Sequence, residues 1–257
     1  MDKTRVCQAF SRAAVSYDAI ARFQRFICER MLCLLPEWLP SGFKPLEMLD
    51  AGCGTGFGSQ SLKCLWPDAG LTGCDISADM IDCMHKKGFS AIKGDLENMS
   101  FDAHCFDFIW SSLALQWCRP EIVFPELFRV LDHRGILFFS TLAPGTLAEI
   151  DFAFSGIDDS RRTLPFQSPE NLKAHLETAR FTGIELMAEK QIMYYPDFRS
   201  VIESIRGVGA GSGGKKRQTM MGKQAWKKVQ DRYESLRNEA GLPVTYEMVY
   251  GFATAGE

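Results

Sequence analysis

The stretch Asp50-Ala51-Gly52-Cys53-Gly54-Thr55-Gly56 decides the fold of this 257-residue chain. It follows the short segment Leu46-Glu47-Met48-Leu49, which predicts a buried strand, and it precedes a predicted helix from about residue 58 to 66. Glycines at a strand-to-helix turn let backbone N–H groups come close to a ligand, because no Cβ stands in the way. Phe57 stands where the dinucleotide fingerprint Gly-x-Gly-x-x-Gly needs its third glycine, which argues against a nicotinamide site.

Strand-like and helix-like segments alternate along the rest of the chain. Further strands are predicted near residues 71–75, 91, 106–110, 135–141, 184–195 and 244–253. Such alternation implies a parallel sheet covered by helices on both faces, and right-handed crossovers make it doubly wound. The sequence therefore predicts an α/β fold with a doubly wound, mostly parallel seven-stranded sheet.

Helices are also predicted outside this alternation. Residues 3–35 carry an apolar stripe at intervals of three and four residues, and helices are expected near 146–154 and from Ser168 onward. We divide the chain into an N-terminal helical lid segment (1–40) and a main domain (41–257). The main domain includes inserted helices (about 144–182), and we expect these and the lid segment to close over a pocket.

Composition excludes several classes of protein. The hydrophobic share of 46% is typical of a globular domain, and the most apolar run, 135–143, is too short to cross a bilayer. Nine cysteines without a Cys-x-x-Cys pair predict neither a zinc site nor a disulfide framework. No secretory signal is visible at the start of the chain. We expect a soluble, cytoplasmic protein without a metal site.

The charge is unevenly distributed although its total is only −3. Residues 204–230 contain seven basic residues and no acidic one. A protein that binds nucleic acid with its whole surface would be basic throughout, so we expect no nucleic-acid partner. The local excess instead indicates an acidic partner for a docking segment at about 204–232.

Two further elements extend the glycine turn into a candidate binding site. Asp75 closes the next predicted strand 25 residues after Asp50, where its carboxylate can accept both hydroxyls of a ribose. Gly94-Asp95-Leu96-Glu97 follows the third strand, where Asp95 can accept from an adenine amino group and Leu96 can pack on the ring. Together these elements resemble the class I methyltransferases, which have a Rossmann-like fold.

The resemblance implies S-adenosylmethionine as cofactor, with its methionine end in the glycine loop and its ribose on the second acid. The cofactor-binding residues it implies are Asp50, Gly52, Gly54, Gly56, Asp75, Ile76, Asp95, Leu96 and Ser111.

A narrower resemblance extends over most of the chain. Its segments are Phe10-Ser11-Arg12-Ala13-Ala14 with Tyr17 and Gln24, Ser111 to Cys118, Thr141-Leu142 with Gly145-Thr146-Leu147 and Glu149, Ile205 to Ala210, and Thr245-Tyr246. They resemble the malonyl-[acyl-carrier protein] O-methyltransferase family of biotin synthesis. The loop Gly211 to Gly214 and the following Lys215-Lys216-Arg217 depart from that family's pattern.

The family implies methylation of the free carboxylate of a malonyl thioester, carried by acyl carrier protein or by CoA. The methyl ester then primes synthesis of the pimeloyl chain. The candidate catalytic residues are Tyr17 and Gln116 as hydrogen-bond partners, Trp117 as a wall, and Arg206 as a carboxylate clamp. The candidate partner-binding residues are Lys215, Lys216, Arg217, Lys223 and Lys227. Ordinary packing of the two aromatics and a solvated basic helix face stay open as alternatives.

Other functions stay open as well. Nucleic-acid amino methyltransferases carry an Asn or Asp, two prolines and an aromatic after the fourth strand, whereas this chain has Trp110-Ser111-Ser112-Leu113. Base methylation is therefore disfavoured. A methyltransferase acting on a free small carboxylic acid or a quinone-type ring is one alternative, and a non-catalytic S-adenosylmethionine-binding protein is another.

Overall fold

The computed structural model describes residues 3–13, 21–157, 163–207 and 222–256. The helices are α1 (Lys3–Ala13), α2 (Arg22–Trp38), α3 (Phe57–Leu65), α4 (Ala78–Lys86), α5 (Pro120–Val130), α6 (Ala148–Phe154), α7 (Pro169–Thr178), α8 (Phe198–Gly207) and α9 (Lys223–Glu234). The strands are β1 (Glu47–Ala51), β2 (Gly70–Asp75), β3 (Ser90–Lys93), β4 (Phe106–Ser112), β5 (Leu131–Leu142), β6 (Phe181–Tyr195) and β7 (Leu242–Ala255). A 3₁₀ turn covers Leu115–Trp117.

The strands form one seven-stranded sheet in the order β3-β2-β1-β4-β5-β7-β6. β7 runs antiparallel to both β5 and β6, and the other pairings are parallel. The predicted fold class is thereby confirmed. The strand order reverses between β1 and β4, and ligands of open α/β sheets bind outside the carboxyl ends of the strands at such a reversal. The glycine turn leaves β1 at this point.

Both faces of the sheet are buried against helices. Phe108, Trp110 and Phe138 project from β4 and β5 into one cluster, which includes the apolar stripe of α2. Ile109 and Phe139, their strand neighbours, project into the cluster on the other face. Successive side chains of a strand point to opposite faces, so strands covered on both sides are apolar throughout.

The N-terminal region forms two helices where the sequence predicts helix across residues 3–35. α1 ends at Ala13, α2 begins at Arg22, and Ala21 between them is not helical, with φ −79° and ψ 43°. Residues 14–20 lie outside the described residues. Helix α2 buries its predicted stripe, and Ile27 and Met31 are fully buried against the sheet.

The segment between β5 and β6 packs against two different parts of the structure. α7 buries Leu172 and Leu176 against the sheet, in the cluster that also contains Phe139. Leu164, which precedes α7, instead packs with Val6 of α1 and with Trp117. The predicted insertion at about 144–182 therefore contributes both to the layer that covers the sheet and to contacts with the N-terminal helix.

Helix α9 contains most of the described part of the basic docking segment. α9 ends at Glu234, and residues 217–221 lie outside the described part of the chain. After Glu234 the N–H groups of Leu236 and Arg237 make turn hydrogen bonds, and an Asn238–Gly241 bridge then leads into β7. Gly241 has φ +121°, a conformation that favours glycine, in the tight turn that leads into β7.

No helix in the described ranges has the length and apolar character needed to cross a membrane. The same residues contain no cluster of three or more His, Cys, Asp or Glu side chains that could hold a metal ion. All nine cysteines are free thiols.

We predict that Gly251→Ala destabilises the junction between β5 and β7. Gly251 is paired with Phe139, and a Cβ at this position would lie 2.2 Å from that buried ring. Overpacking of a dense core costs roughly 1–3 kcal/mol, so urea unfolding should show a loss of that size. Gly256→Ala is the control, because its Cβ would meet only ordinary contacts at 3.6 Å. Equal stability of the two variants would contradict the prediction.

Candidate functional site

Two cavities lie on either side of the glycine turn, at the carboxyl ends of β1, β2 and β4. The first cavity is somewhat larger than the second. Gly52, Gly54 and Ser112 line both cavities, so the turn and the end of β4 form the partition between them. A ligand that bends around the turn can occupy the two cavities together.

The three predicted glycines have left-handed backbone conformations but different surroundings. A Cβ at Gly52 would lie 2.2 Å from Cβ of Ala114, and one at Gly56 would lie 2.3 Å from Sδ of Met84. Those two glycines permit close packing of the turn on its neighbours. Gly54, with φ +52°, has no atom within 4 Å of its would-be Cβ. Its backbone is therefore the part of the turn that a ligand can approach directly.

Asp75 connects the turn to the end of β2. Its Oδ2 accepts from the N–H of Gly54 at 3.0 Å, and its Oδ1 accepts from the N–H of Ser77 at 2.8 Å. Burial raises the pKa of the Asp75 carboxyl, and the backbone hydrogen bonds oppose that rise. The carboxylate lines the first cavity together with Ile76. Its remaining acceptor capacity is available to a ligand with hydroxyl groups.

Asp95 and Leu96 also line the first cavity, but Asp95 is already engaged by helix α1. Lys3 Nζ donates to both carboxylate oxygens of Asp95 at 2.6 Å and also pairs with Glu97 at 2.7 Å. Glu97 in turn accepts from the Arg119 guanidinium at 2.7 and 3.0 Å. These partners lower the pKa of Glu97 against the effect of its burial. The chain of charges fixes α1 across the mouth of the cavity.

An apolar cluster closes the same cavity beside these charges. Phe10 of α1 meets Trp117 edge to face, with ring centroids 5.6 Å apart, and Val6, Leu164 and Phe166 complete the cluster. The indole Nε1 of Trp117 is buried and has no hydrogen-bond partner among the residues described. Trp117 thus lines the cavity, and its indole N–H is a donor without a partner among the described residues.

The second cavity is more polar and contains Asp50. This carboxyl is buried at the end of β1, and its Oδ2 accepts from the Ser59 hydroxyl at 2.5 Å. The pKa of Asp50 is raised to about 7, because burial and the charge of Asp75 together outweigh the opposing hydrogen bond from Ser59. Gln24, Arg25 and Trp110 face the same space. Two carboxyls with raised pKa values beside one turn favour a ligand that carries positive charge.

Two predicted site residues donate hydrogen bonds to backbone carbonyl groups and do not line the cavities. The Ser111 hydroxyl donates to the carbonyl of Ala51 at 2.8 Å, and Ser112 is the residue that lines the cavities, because neighbours in a strand point to opposite faces. The Gln116 amide donates to the carbonyl of Leu113 at 2.6 Å, which stabilises the turn after β4. Gln116 is half-buried and belongs to neither set of lining residues.

Most of the other predicted site residues lie wholly or partly outside the described part of the structure. Tyr17 and the basic group Lys215, Lys216 and Arg217 fall outside the described residues, as does the loop Gly211 to Gly214. Arg206 belongs to α8, and only its backbone is described. Lys223 and Lys227 are exposed on α9.

Sequence reasoning missed the residues that the N-terminal helices bring to the site. Lys3 and Phe10 come from α1, while Gln24 and Arg25 come from α2. Phe10 and Gln24 already belonged to the segments that resemble a known family, which was the available signal. Trp110 ends a predicted strand and gave no sign that its indole N–H faces a cavity.

Known proteins are similar to this chain in both sequence and fold. A family model described as a methyltransferase domain matches residues 49–139. The malonyl-[acyl-carrier protein] O-methyltransferase of Herminiimonas arsenicoxydans is 44% identical over 252 residues, covering 97% of this chain and 95% of that protein. These matches make S-adenosylmethionine the cofactor, and the open Gly54 backbone and the Asp75 carboxylate fit it.

Solved structures share the fold at low sequence identity. The YcgJ protein of Bacillus subtilis has a TM-score of 0.62 at 15% identity, covering 89% of this chain and 99% of that one. Phosphoethanolamine N-methyltransferase 2 of Haemonchus contortus, in complex with S-adenosyl-L-methionine, has a TM-score of 0.57 at 17% identity, covering 89% of this chain and 53% of that one. Both support the same sheet architecture.

We predict that Asp75→Ala weakens binding of S-adenosylmethionine by about 1–3 kcal/mol, because it removes charge-assisted hydrogen bonds to the ribose and frees the Gly54 N–H. Isothermal calorimetry measures the change. Asp79→Ala, at an exposed position in the first turn of α4, is the matched control and should bind normally. Unchanged affinity in a folded Asp75→Ala protein would remove Asp75 from the site.

Proposed function

Because this chain belongs to the malonyl-[acyl-carrier protein] O-methyltransferase family, we propose that it methylates the free carboxylate of a malonyl thioester on acyl carrier protein. The product is the methyl ester that primes pimeloyl chain synthesis toward biotin. Of the structural observations, the one that carries the proposal is the wall of Phe10 and Trp117 over the first cavity. Both residues belong to segments selective for the family.

Methyl transfer to a carboxylate requires little acid–base catalysis by the protein. A carboxyl group with a pKa near ~4 is ionised at neutral pH, so the attacking oxygen needs no general base. S-adenosylmethionine supplies, when bound, an electrophilic methyl group on a positively charged sulfur. The task of the chain is to hold the carboxylate in place and to exclude water, which strengthens the attraction between opposite charges.

We assign the substrate-facing roles as follows. Trp117 forms the wall, and its buried Nε1 is available as a donor to the acyl group. Gln116 stabilises the turn after β4 through its hydrogen bond to the carbonyl of Leu113, and it stays a proposed hydrogen-bond partner of the substrate. Tyr17 is the proposed hydrogen-bond partner, and Arg206 is the proposed carboxylate clamp, since guanidinium binds carboxylates with two parallel bonds.

We further propose that residues 1–40 and parts of the segment 144–182 act as a lid over the site. The packing of Val6 and Phe10 on Leu164 and Phe166 supports this division, because it joins the two segments above the first cavity. We expect the enzyme to work in the cytoplasm.

The direct test is methyl transfer to a panel of acceptors. With S-adenosylmethionine, the purified protein should convert malonyl-carrier protein to its methyl ester, detected as the mass gain expected when a methyl group replaces a proton. Malonyl-CoA, free malonate and a quinone-type ring are the comparison substrates. Acetyl-carrier protein is the matched control, since it lacks the carboxylate and should gain nothing. Methylation of the ring or of free malonate alone would contradict the proposal.

Helix α9 provides the described part of the proposed docking surface for the carrier protein. Lys223, Lys227 and Lys228 are exposed on it, while Val229 and Tyr233 are buried beneath. We propose that this face, together with Lys215, Lys216 and Arg217, attracts the acidic helices of an acyl carrier protein. Such attraction speeds encounter and weakens with salt, because exposed charges are screened beyond about 8 Å at physiological ionic strength.

We predict that the double variant Lys223→Glu and Lys227→Glu raises the Michaelis constant for malonyl-carrier protein by about threefold to tenfold, with a smaller effect on malonyl-CoA. Steady-state kinetics at low and high salt measure it, and the difference from wild type should shrink at high salt. Lys44→Glu with Lys173→Glu makes the same charge change at exposed positions on other elements. If this control gives the same loss, only net charge matters and the docking surface is refuted.

A further inference from the structure

Two hydroxyl side chains interrupt the apolar end of strand β5. Residues 136–139 of that strand are apolar and almost completely buried, whereas Ser140 and Thr141, which follow them, are buried and polar. Neighbours in a strand point to opposite faces, so the two hydroxyl groups leave the strand on opposite sides of the sheet. Burial of a polar group costs free energy unless it is hydrogen-bonded. The partners of the two hydroxyl groups therefore indicate what these residues do.

Both hydroxyl groups act on the turn that follows β4. Oγ of Ser140 accepts from the N–H of Leu113 at 3.1 Å. Oγ1 of Thr141 donates to Oε1 of Gln116 at 3.5 Å, and Nε2 of Gln116 donates to the carbonyl oxygen of Leu113 at 2.6 Å. The Thr141 hydroxyl thereby favours the orientation of the amide in which its NH₂ group faces Leu113. The N–H and the carbonyl group of Leu113 are thus both held by side chains.

The backbone conformation of Leu113 needs such support. Its φ is +52°, in the left-handed region, where the Cβ of any residue other than glycine comes too close to the following carbonyl oxygen. A strained residue persists only where the surrounding structure fixes it, and strained residues cluster at functional sites. Leu113 is at such a place, because it lines the first cavity.

The left-handed turn at Leu113 sets the direction of the segment that follows it. Cβ of Ala114 lies 2.2 Å from the position that a Cβ would take at Gly52, so this segment packs directly on the glycine turn. The 3₁₀ turn Leu115–Trp117 then brings Trp117 to the first cavity. Relaxation of Leu113 to a negative φ would redirect the chain before both contacts are made.

We propose that Ser140 and Thr141 are positioning residues for methyl transfer. They hold Leu113 in its left-handed conformation, Ser140 directly and Thr141 through Gln116, and so keep Trp117 in place against the acyl group. The two residues belong to neither set of cavity-lining residues, and they act only through the turn. The inference rests on the proposed function, which puts the acyl group beside Trp117.

The test removes the two hydroxyl groups with little change of side-chain shape. In the full chain, Ser140→Ala with Thr141→Val should lower kcat for malonyl-carrier protein about tenfold to a hundredfold, with KM for S-adenosylmethionine within about threefold, because small displacements of a positioned group cost rate on that scale. Rates are expressed per cofactor-binding site counted by calorimetry, so that unfolded protein does not contribute. If the double variant does not fold, each single variant replaces it, with an expected loss of about threefold or more.

Two further variants separate the hydroxyl groups from general effects of mutation. Thr141→Ser keeps the hydroxyl group and should recover most of the rate that Thr141→Val loses. Thr254→Val is the matched control, since Oγ1 of Thr254 donates to the carbonyl oxygen of Thr182 at 3.0 Å. Thr254 pairs with Ile136, on the side of β5 away from the turn after β4, so this variant should transfer methyl groups as wild type does.

Crystal structures give a readout that does not depend on the acyl substrate. Leu113 should have a positive φ in the wild type and a negative φ in the double variant, or in the single variants where these replace it. A positive φ in the variants, or a rate per site equal to that of wild type, would overturn the proposal. Equal losses in Thr141→Ser and Thr141→Val would overturn the role of the Thr141 hydroxyl.

Failure of the proposed function gives a different result. A wild type that methylates no malonyl thioester would refute the proposed substrate alone. The rates are then compared with the acceptor that the substrate panel identifies, and the crystal structures test the hold on Leu113 in either case.

Discussion

The turn after β1 has no room for a side chain at Gly52 or at Gly56, and the arrangement of the site depends on this restriction. Gly52 lies against Ala114 and Gly56 lies against Met84, at distances that any Cβ would make impossible without movement. The close approach brings the segment after β4 directly onto the turn and lets α3 start beside it. The turn and the end of β4 therefore form a thin partition between the two cavities. Asp75 then fixes the turn through the N–H of Gly54.

The close packing around the turn also buries two carboxyl groups, and this burial costs free energy when they are ionised. The carboxyls of Asp50 and Asp75 both have raised pKa values, mainly because burial disfavours their charged forms. In the free protein each ionised carboxylate therefore costs stability. A ligand with positive charge offsets the cost, so the same feature that weakens the free fold favours the cofactor. Active sites commonly combine lowered stability with binding in this way.

Much of the sheet and the cofactor turn could be predicted because their signals are local. β1, β2, β4 and the glycine turn lie within a few residues of their predicted positions, since apolar runs and glycines act over a few neighbours. The choice between Ser111 and Ser112 could not be predicted. Where both faces of a strand are buried, the pattern of apolar residues does not show which side chain points to the ligand.

The residues that the N-terminal helices bring to the cavities could not be predicted from the sequence, for a different reason. Lys3 reaches Asp95 across 92 residues of chain, and Arg25 and Trp110 share a cavity although 85 residues separate them. Periodicity shows that α2 has a buried face, yet its polar residues at the edge of that face look like ordinary surface positions. Only the packing of the helix against the sheet reveals that Gln24 and Arg25 face a site.

The position of the antiparallel strand β7 determines when its neighbouring strands can pair during synthesis of the chain. Among the described strands, β6 pairs with β7 alone and β7 also pairs with β5, so two earlier strands depend on a strand that follows both of them in the chain. During synthesis, β6 emerges with no neighbour to receive its backbone hydrogen bonds. Exposed, unpaired strands of this length are prone to associate with other chains. A nascent chain is therefore most vulnerable in the interval between the release of Tyr195 and that of Leu242 from the ribosome.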